Sequence, residues 1–137
     1  MNILIIDAQG GGIGRQLVAA IKEKNSDATV TAVGTNSAAT SAMLKAGADI
    51  AATGENAVIV NSRKADVIIG PIGIVIADAL HGEITPAMAQ AVAQSSARRI
   101  LIPVNHCDNI VVGVGSLNIG RLIQDVLAEL SVLAENS

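Results

Sequence analysis

Asn2-Ile3-Leu4-Ile5-Ile6-Asp7-Ala8-Gln9-Gly10-Gly11-Gly12-Ile13-Gly14-Arg15-Gln16-Leu17-Val18 reads as a buried strand, a glycine turn and the opening of a helix. The strand, Asn2 to Asp7, is an almost unbroken aliphatic run, the pattern of a strand covered on both faces. Beyond the turn, Gly14, Leu17, Val18 and Ile21 recur at i, i+3, i+4 and i+7, with Arg15, Lys22 and Lys24 off that face. A strand that feeds a helix through glycines begins a β-α-β unit.

The same alternation continues along the chain. Ala28 to Gly34 is a second strand. Ser37 is placed to cap a second helix with an inner face of Ala39, Ala42, Met43 and Ala46, closed by Gly47. Asp49 to Ala52 is a short, weak third strand. Glu55 to Lys64 pulls two ways. Val58-Ile59-Val60 favours strand, while Glu55 early and Arg63-Lys64 late suit a helix dipole. The alternation decides for helix. Asp66 to Gly70 is a strand, and Thr85-Pro86 a capped helix start for a helix running to about Ser96. Strands are expected over Ile100 to Val104 and Ile110 to Val114. The last helix carries the stripe Ile119, Leu122, Ile123, Val126, Leu130 and Leu133. The expected fold is α/β, a three-layer, doubly wound, mostly parallel sheet of Rossmann-like type. One domain spans residues 1–137, with the switch point between strand one and the Asp66–Gly70 strand.

Composition narrows the function classes. Of 137 residues, 50% are hydrophobic and none is aromatic, so the core rests on Ile, Val, Leu, Ala and Met. So apolar a chain, with only 15% charged residues, is expected to hide some surface in a homo-oligomer. Net charge is −3, and Arg98-Arg99 and Arg63-Lys64 are isolated basic pairs, so nucleic acid is not an expected partner. No apolar run approaches the ~20 residues of a membrane span, and Met1-Asn2-Ile3-Leu4 lacks a charged leader region. With Cys107 alone there is no internal disulfide. These features point to the reduced cytoplasm.

The candidate ligand site starts at the glycine turn. Gln9, Gly10, Gly11, Gly12, Ile13 and Gly14 can let the backbone approach a phosphate, with free N–H groups at the helix start to bind it. The spacing is not G-x-G-x-x-G, because Arg15 stands where its last glycine belongs. Gly12-Ile13-Gly14 instead resembles the end of the T-G-x-x-x-G-I-G turn of short-chain dehydrogenases, with Asp7 and Ala8 in place of Thr-Gly. That family's hydride chemistry uses a Tyr, and this chain has none. After strand two a dinucleotide site expects an acidic residue for the ribose. Here stand Thr35, Asn36 and Ser37, which suit either a ribose or phosphate contact or a plain turn and cap. Gly70, Pro71 and Gly73 follow a central strand at the edge where such sheets bind ligands; a rigid structural turn is the alternative.

Catalytic candidates are sparse. Asp7 ends strand one and can contact substrate or a divalent ion. Cys107 can act as a thiolate nucleophile or as a small apolar filler; adjacent His106 points away from it on an extended chain, and His81 reaches it only through the fold. Two His and one Cys without ligand spacing make no metal set.

Five segments together resemble one family: Gln9 to Gly14; Gly34-Thr35-Asn36-Ser37 with Thr40-Ser41-Ala42-Met43; Gly70-Pro71-Ile72-Gly73-Ile74-Val75; Gly82-Glu83-Ile84-Thr85-Pro86; and Pro103-Val104-Asn105. It is a bacterial family of short proteins described only as domain of unknown function 3842. The resemblance implies a stand-alone domain and brings no substrate. Members are expected to open Asp-Gly-Gln-Gly-Gly-Gly, and Ala8 stands here at the second position. Three functions fit: a module that binds a nucleotide or phosphorylated metabolite; a small enzyme using NAD(P) or another nucleotide, with Asp7, Asn36, His81 or Cys107 in catalysis; and a scaffold without ligand.

Overall fold

The computed structural model describes residues 1–104 and 108–136. Five strands form one parallel sheet: β1 (Asn2–Asp7), β2 (Thr29–Gly34), β3 (Ile50–Thr53), β4 (Val67–Pro71) and β5 (Arg98–Ile102). Their order is β3-β2-β1-β4-β5. The chain leaves β1 for β2 on one side and returns to pair β4 on the other. The winding therefore reverses between β1 and β4, where the sequence places the switch point.

The helices are α1 (Gly12–Lys24), α2 (Ser37–Lys45), α3 (Glu55–Lys64), α4 (Pro86–Gln94) and α5 (Ile119–Glu135), with a 3-10 turn at Ile72–Val75. Alternate residues of β1 divide between the two faces of the sheet. Ile3 and Ile5 pack with Leu17, Val18 and Ile21 of α1, Met43 of α2 and Val126 and Leu130 of α5. Leu4 and Ile6 pack with Val58 of α3, Met88 and Val92 of α4, and Leu80 and Ile84 of the loop before it. Strands covered on both faces explain why the sequence reads as continuous aliphatic runs.

Three expectations need correction. No strand forms over Ile110 to Val114. The segment is loop and turn, with Ile110 and Val112 90% and 93% exposed. Gly113 has φ +90°, which breaks an extended run, so propensity alone did not make a strand there. The cap of α2 is Asn36, whose Oδ1 accepts from the Ala39 N–H at 2.9 Å; Ser37 is the exposed first helical residue. The fifth strand lies two residues earlier than expected and ends before Pro103, which has no N–H to give the ladder. Glu55 to Lys64 is a helix, as the alternation required.

Asp49 joins two layers of this frame. It accepts from Lys22 Nζ of α1 at 3.0 Å and from the Val30 N–H of β2 at 2.8 Å. The Val30 hydrogen bond first, and Lys22 second, hold its carboxyl below the ordinary range. A group depressed in this way stabilises the fold above its unfolded value and loses that contribution as pH falls through the folded one. The pair is exposed, so Asp49→Asn is expected to cost no more than about 1 kcal/mol. Urea melts of the two proteins should converge as pH is lowered below 3.8.

Candidate functional site

The glycine turn sorts its glycines into two kinds. A Cβ on Gly11 would lie 2.9 Å from Ala39 Cα, and Gly11 has φ +72°. A Cβ on Gly14 would lie 2.9 Å from Asp7 Cβ and 2.5 Å from Met43 Sδ. These two glycines let α1 pack closely on β1 and α2. Gly10 and Gly12 have open space on the corresponding side. Among the described residues, the N–H groups of Gly10 and Gly12 donate no hydrogen bond. They are the donors left for a ligand at the start of α1.

Asp7 lies under this turn rather than in front of it, only 6% exposed. Its Oδ1 accepts from the Ala8 N–H at 2.8 Å and its Oδ2 from the Gly14 N–H at 2.6 Å. Gly11, the residue before α1, offers no side-chain cap, and Asp7 supplies one from the strand. Burial raises the Asp7 pKa, outweighing the hydrogen bonds from Gly14 and Ala8; the charge of Glu83 adds to the rise. An acid with a raised folded pKa binds more protons in the native state, so its contribution to stability falls as pH climbs from 3.8 through the raised value. Asp7→Asn puts an amide N–H against one of these buried donors, at an expected cost of about 1–3 kcal/mol. The margin of wild type over the variant should shrink with rising pH in denaturant titrations; a margin that grows would mean that the carboxylate is the favoured form.

Glu83, quoted in the sequence within Gly82-Glu83-Ile84-Thr85-Pro86 but given no role there, ties the other segments together. Its Oε1 accepts from the Gln9 N–H at 3.1 Å, from Thr35 Oγ1 at 2.7 Å and from Asn36 Nδ2 at 2.7 Å. Asn36 Nδ2 also donates to the Gln9 carbonyl at 2.9 Å. The turn after β1, the end of β2 and the loop after β4 thus meet at one carboxylate oxygen. Burial alone would raise the Glu83 pKa, but the hydrogen bonds from Thr35, Asn36 and Gln9, with His81 nearby, bring it below the ordinary glutamate range. Glu83 is therefore ionised at neutral pH.

The loop that delivers Glu83 is a closed unit. The Asp78 N–H donates to the Ile84 carbonyl at 2.7 Å, and the Ile84 N–H to the Ala79 carbonyl at 3.2 Å. Ala79, Leu80 and Ile84 are buried and pack in one cluster with Ala8 and Ile74. Among the described residues, the non-glycine residues with positive φ are Gln9, Asp78, Leu80 and His81. All four lie at this junction, and the Glu83 bond to the Gln9 N–H helps to hold the first. Ala8 itself is buried and lies outside that group, so its methyl is accommodated as core.

The remaining candidates sort by position. Thr35 and Asn36 face the glycine turn through Glu83, while Ser37 lies exposed on α2. Gly70 packs β4 against β1, where a Cβ would lie 2.5 Å from the Ile6 carbonyl oxygen. Pro71 is buried at the end of β4, and the space over Gly73 is taken by Leu80 and Ala79. Ile13 is half-buried behind the turn. His81 is exposed on the loop beside Glu83. His106 and Cys107 lie outside the described residues. A groove between α3 and α4, lined by Ile59, Ser62, Gln90 and Gln94, belongs to the outer helical layer and includes none of these residues.

The family model for domain of unknown function DUF3842 matches residues 2–135. The chain belongs to this family. No curated protein and no solved structure gives a match to it. In this DUF3842 chain, Gln9 to Gly14, Gly34 to Asn36, Gly70 to Val75 and Gly82 to Pro86 follow the carboxyl ends of β1, β2 and β4, while Thr40 to Met43 lie within α2. No helix among the described residues is long and apolar enough to cross a membrane.

Proposed function

We propose that this protein binds a nucleotide or phosphorylated metabolite at its glycine turn and acts as a binding or sensing module. The observation that carries the reading is the division of the glycines. Gly11 and Gly14 are consumed by packing, whereas Gly10 and Gly12 keep open space and undonated N–H groups at the start of α1. Helix starts of that kind favour anions through both the free N–H groups and the helix dipole. NAD(P) or another nucleotide remains the cofactor class.

An enzyme working with such a ligand would need a group that touches it. Asp7 is turned beneath the loop, so His81 and Asn36 are the better-placed groups among the described residues. The scaffold reading also has an observation behind it: two carboxylates, Asp7 and Glu83, already satisfy part of the loop. Ile110 and Val112, both widely exposed, support self-association as the state in which the module works. The reduced cytoplasm remains the proposed compartment.

The test uses the freshly purified protein. With no Trp or Tyr, it absorbs almost nothing in the near ultraviolet. A nucleotide carried through purification should therefore dominate the spectrum, and mass spectrometry of an acid extract should identify it. Titration calorimetry with pyrophosphate and nucleoside diphosphates should then show binding. No heat with any of them at millimolar concentration would favour the scaffold.

A further inference from the structure

We propose that the groove between α3 and α4 is a second binding site, which takes a small aliphatic carboxylate. It is separate from the glycine turn and does not depend on what binds there.

The argument starts from one hydroxyl. Ser62, on α3, is 2% exposed, and its Oγ makes no hydrogen bond. Among the described residues it is the one buried side-chain polar atom without a partner. A serine inside a helix can turn its hydroxyl onto the carbonyl four residues back, as Ser131 does to Leu127 at 3.1 Å. Ser62 leaves the corresponding carbonyl, that of Val58, unused. Ser95, across the groove, is already committed. Its Oγ donates to the Ser62 carbonyl at 2.6 Å and accepts from the Ala97 N–H at 3.0 Å. A buried polar group left unpaired costs free energy. Ser62 lines a groove of about 390 Å³, within the size range of ligand pockets.

The rest of the lining gives the class of ligand. Ile59 of α3 and Ala87 and Ala91 of α4 supply apolar surface. Gln90, Gln94 and Arg63 supply N–H donors, and no carboxylate lines the groove. Two helices end here, and their C-terminal dipoles alone would oppose an anion. The structure answers both. Arg99 Nη1 donates to the Ser95 carbonyl at 2.7 Å and to the Ala97 carbonyl at 3.1 Å, capping the end of α4. Lys64 stands in the last turn of α3. The basic pairs Arg63-Lys64 and Arg98-Arg99, isolated in the sequence, are thus brought to one end of one groove. Arg63 makes no ion pair or side-chain hydrogen bond among the described residues. A carboxylate accepts from the Ser62 hydroxyl and the Arg63 guanidinium together, the charge-assisted kind of bond. A short aliphatic body then lies against Ile59, Ala87 and Ala91. The side chains of Gln90, Gln94 and Arg63 are on exposed residues and make no hydrogen bond among the described residues, so they can turn aside to admit it. Inorganic phosphate has nothing to cover the apolar lining, and a neutral amide leaves the Arg63 charge unanswered.

Three probes of similar chemistry separate these cases: isobutyrate, isobutyramide and inorganic phosphate. Each is titrated at neutral pH and constant ionic strength into isotope-labelled wild type, Ser62→Ala and Arg63→Gln, with the backbone amides followed by NMR. Isobutyrate should shift the amides of Ser62, Ala91 and Ser95 saturably in the millimolar range. Isobutyramide should bind at least about tenfold more weakly, and phosphate should leave those amides in place, because bonds to a charged group are the stronger ones. Ser62→Ala should lose about tenfold in isobutyrate affinity, the value of one such bond. The same variant should melt no lower than wild type, since the deleted hydroxyl bonds nothing inside the protein. A residue with a purely structural role would show the reverse, a lower melting temperature and unchanged binding. Arg63→Gln should weaken isobutyrate and leave isobutyramide as it was. The proposal is overturned if isobutyrate gives no saturable shift at the groove, if isobutyramide or phosphate binds there as well as isobutyrate, or if Ser62→Ala binds isobutyrate like wild type. The wild-type titrations alone decide between the probes, whatever the variants do.

Discussion

Gly12→Asp is expected to abolish anion binding while leaving the fold intact. Gly12 is the first residue of α1, with open space where a side chain would go. An aspartate there adds a first-turn acid, worth about 0.3–1 kcal/mol to a helix, and removes the conformational freedom of glycine, worth about 0.5–1 kcal/mol. Crowding from the carboxylates of Asp7 and Glu83 offsets part of that gain. Net stability should stay within about 1 kcal/mol of wild type. The ligand meets something quite different. A carboxylate among the free N–H groups faces the incoming phosphate, and two unit charges about 4 Å apart near a protein surface repel by about 4 kcal/mol. Pyrophosphate affinity should drop by at least about 100-fold, read by calorimetry beside a thermal melt. A folded Gly12→Asp protein that binds pyrophosphate like wild type would place any anion site elsewhere.

The fold was legible because its signals are local and repeat. Aliphatic strand runs alternate with helical stripes, and even the ambiguous Glu55–Lys64 segment is settled by its place in that alternation. The misses are local signals that a neighbour outweighed. Val111 and Val112 carry strand propensity, but Gly113 turns the chain and no ladder forms. Ser37 and Asn36 both have capping chemistry, and the difference is one residue of backbone geometry: Asn36 is extended and Ser37 is already helical.

The site was half legible for a different reason. The glycine turn announces itself as a contiguous run. Which of its glycines pack and which stay open depends on Ala39 and Met43, supplied by α2. Glu83 lies 74 residues from Gln9 and belongs to no motif that chemistry makes recognisable. Its only trace is its place in Gly82-Glu83-Ile84-Thr85-Pro86, between a strand end and a helix cap. The end of β2 carries no carboxylate in the sequence, and the fold brings one there from a distant loop.

Gly14→Val should do the opposite of Gly12→Asp, although the two positions are two residues apart in one helix. A Cβ at Gly14 would press on Asp7 Cβ and on Met43 Sδ, and it would sit 3.0 Å from Asp7 Oδ2. Met43 is flexible enough to move, but the backbone of β1 holds Asp7 between β2 and β4. Relief has to come from α1 moving off the sheet. Overpacking of this kind costs about 1–3 kcal/mol. The same displacement stretches the bond from the Gly14 N–H to Asp7 and leaves buried partners unmatched, at about 1–3 kcal/mol more. A total loss of about 2–6 kcal/mol is a large part of the 5–15 kcal/mol typical of native stability. Urea denaturation followed by circular dichroism should show the midpoint falling steeply or the protein failing to fold. A Gly14→Val protein as stable as wild type would mean that α1 does not pack on Asp7 as closely as described. Since α1 also positions the open Gly12, loss of packing should carry ligand binding away with it, whereas Gly12→Asp removes binding from a protein that still melts like wild type.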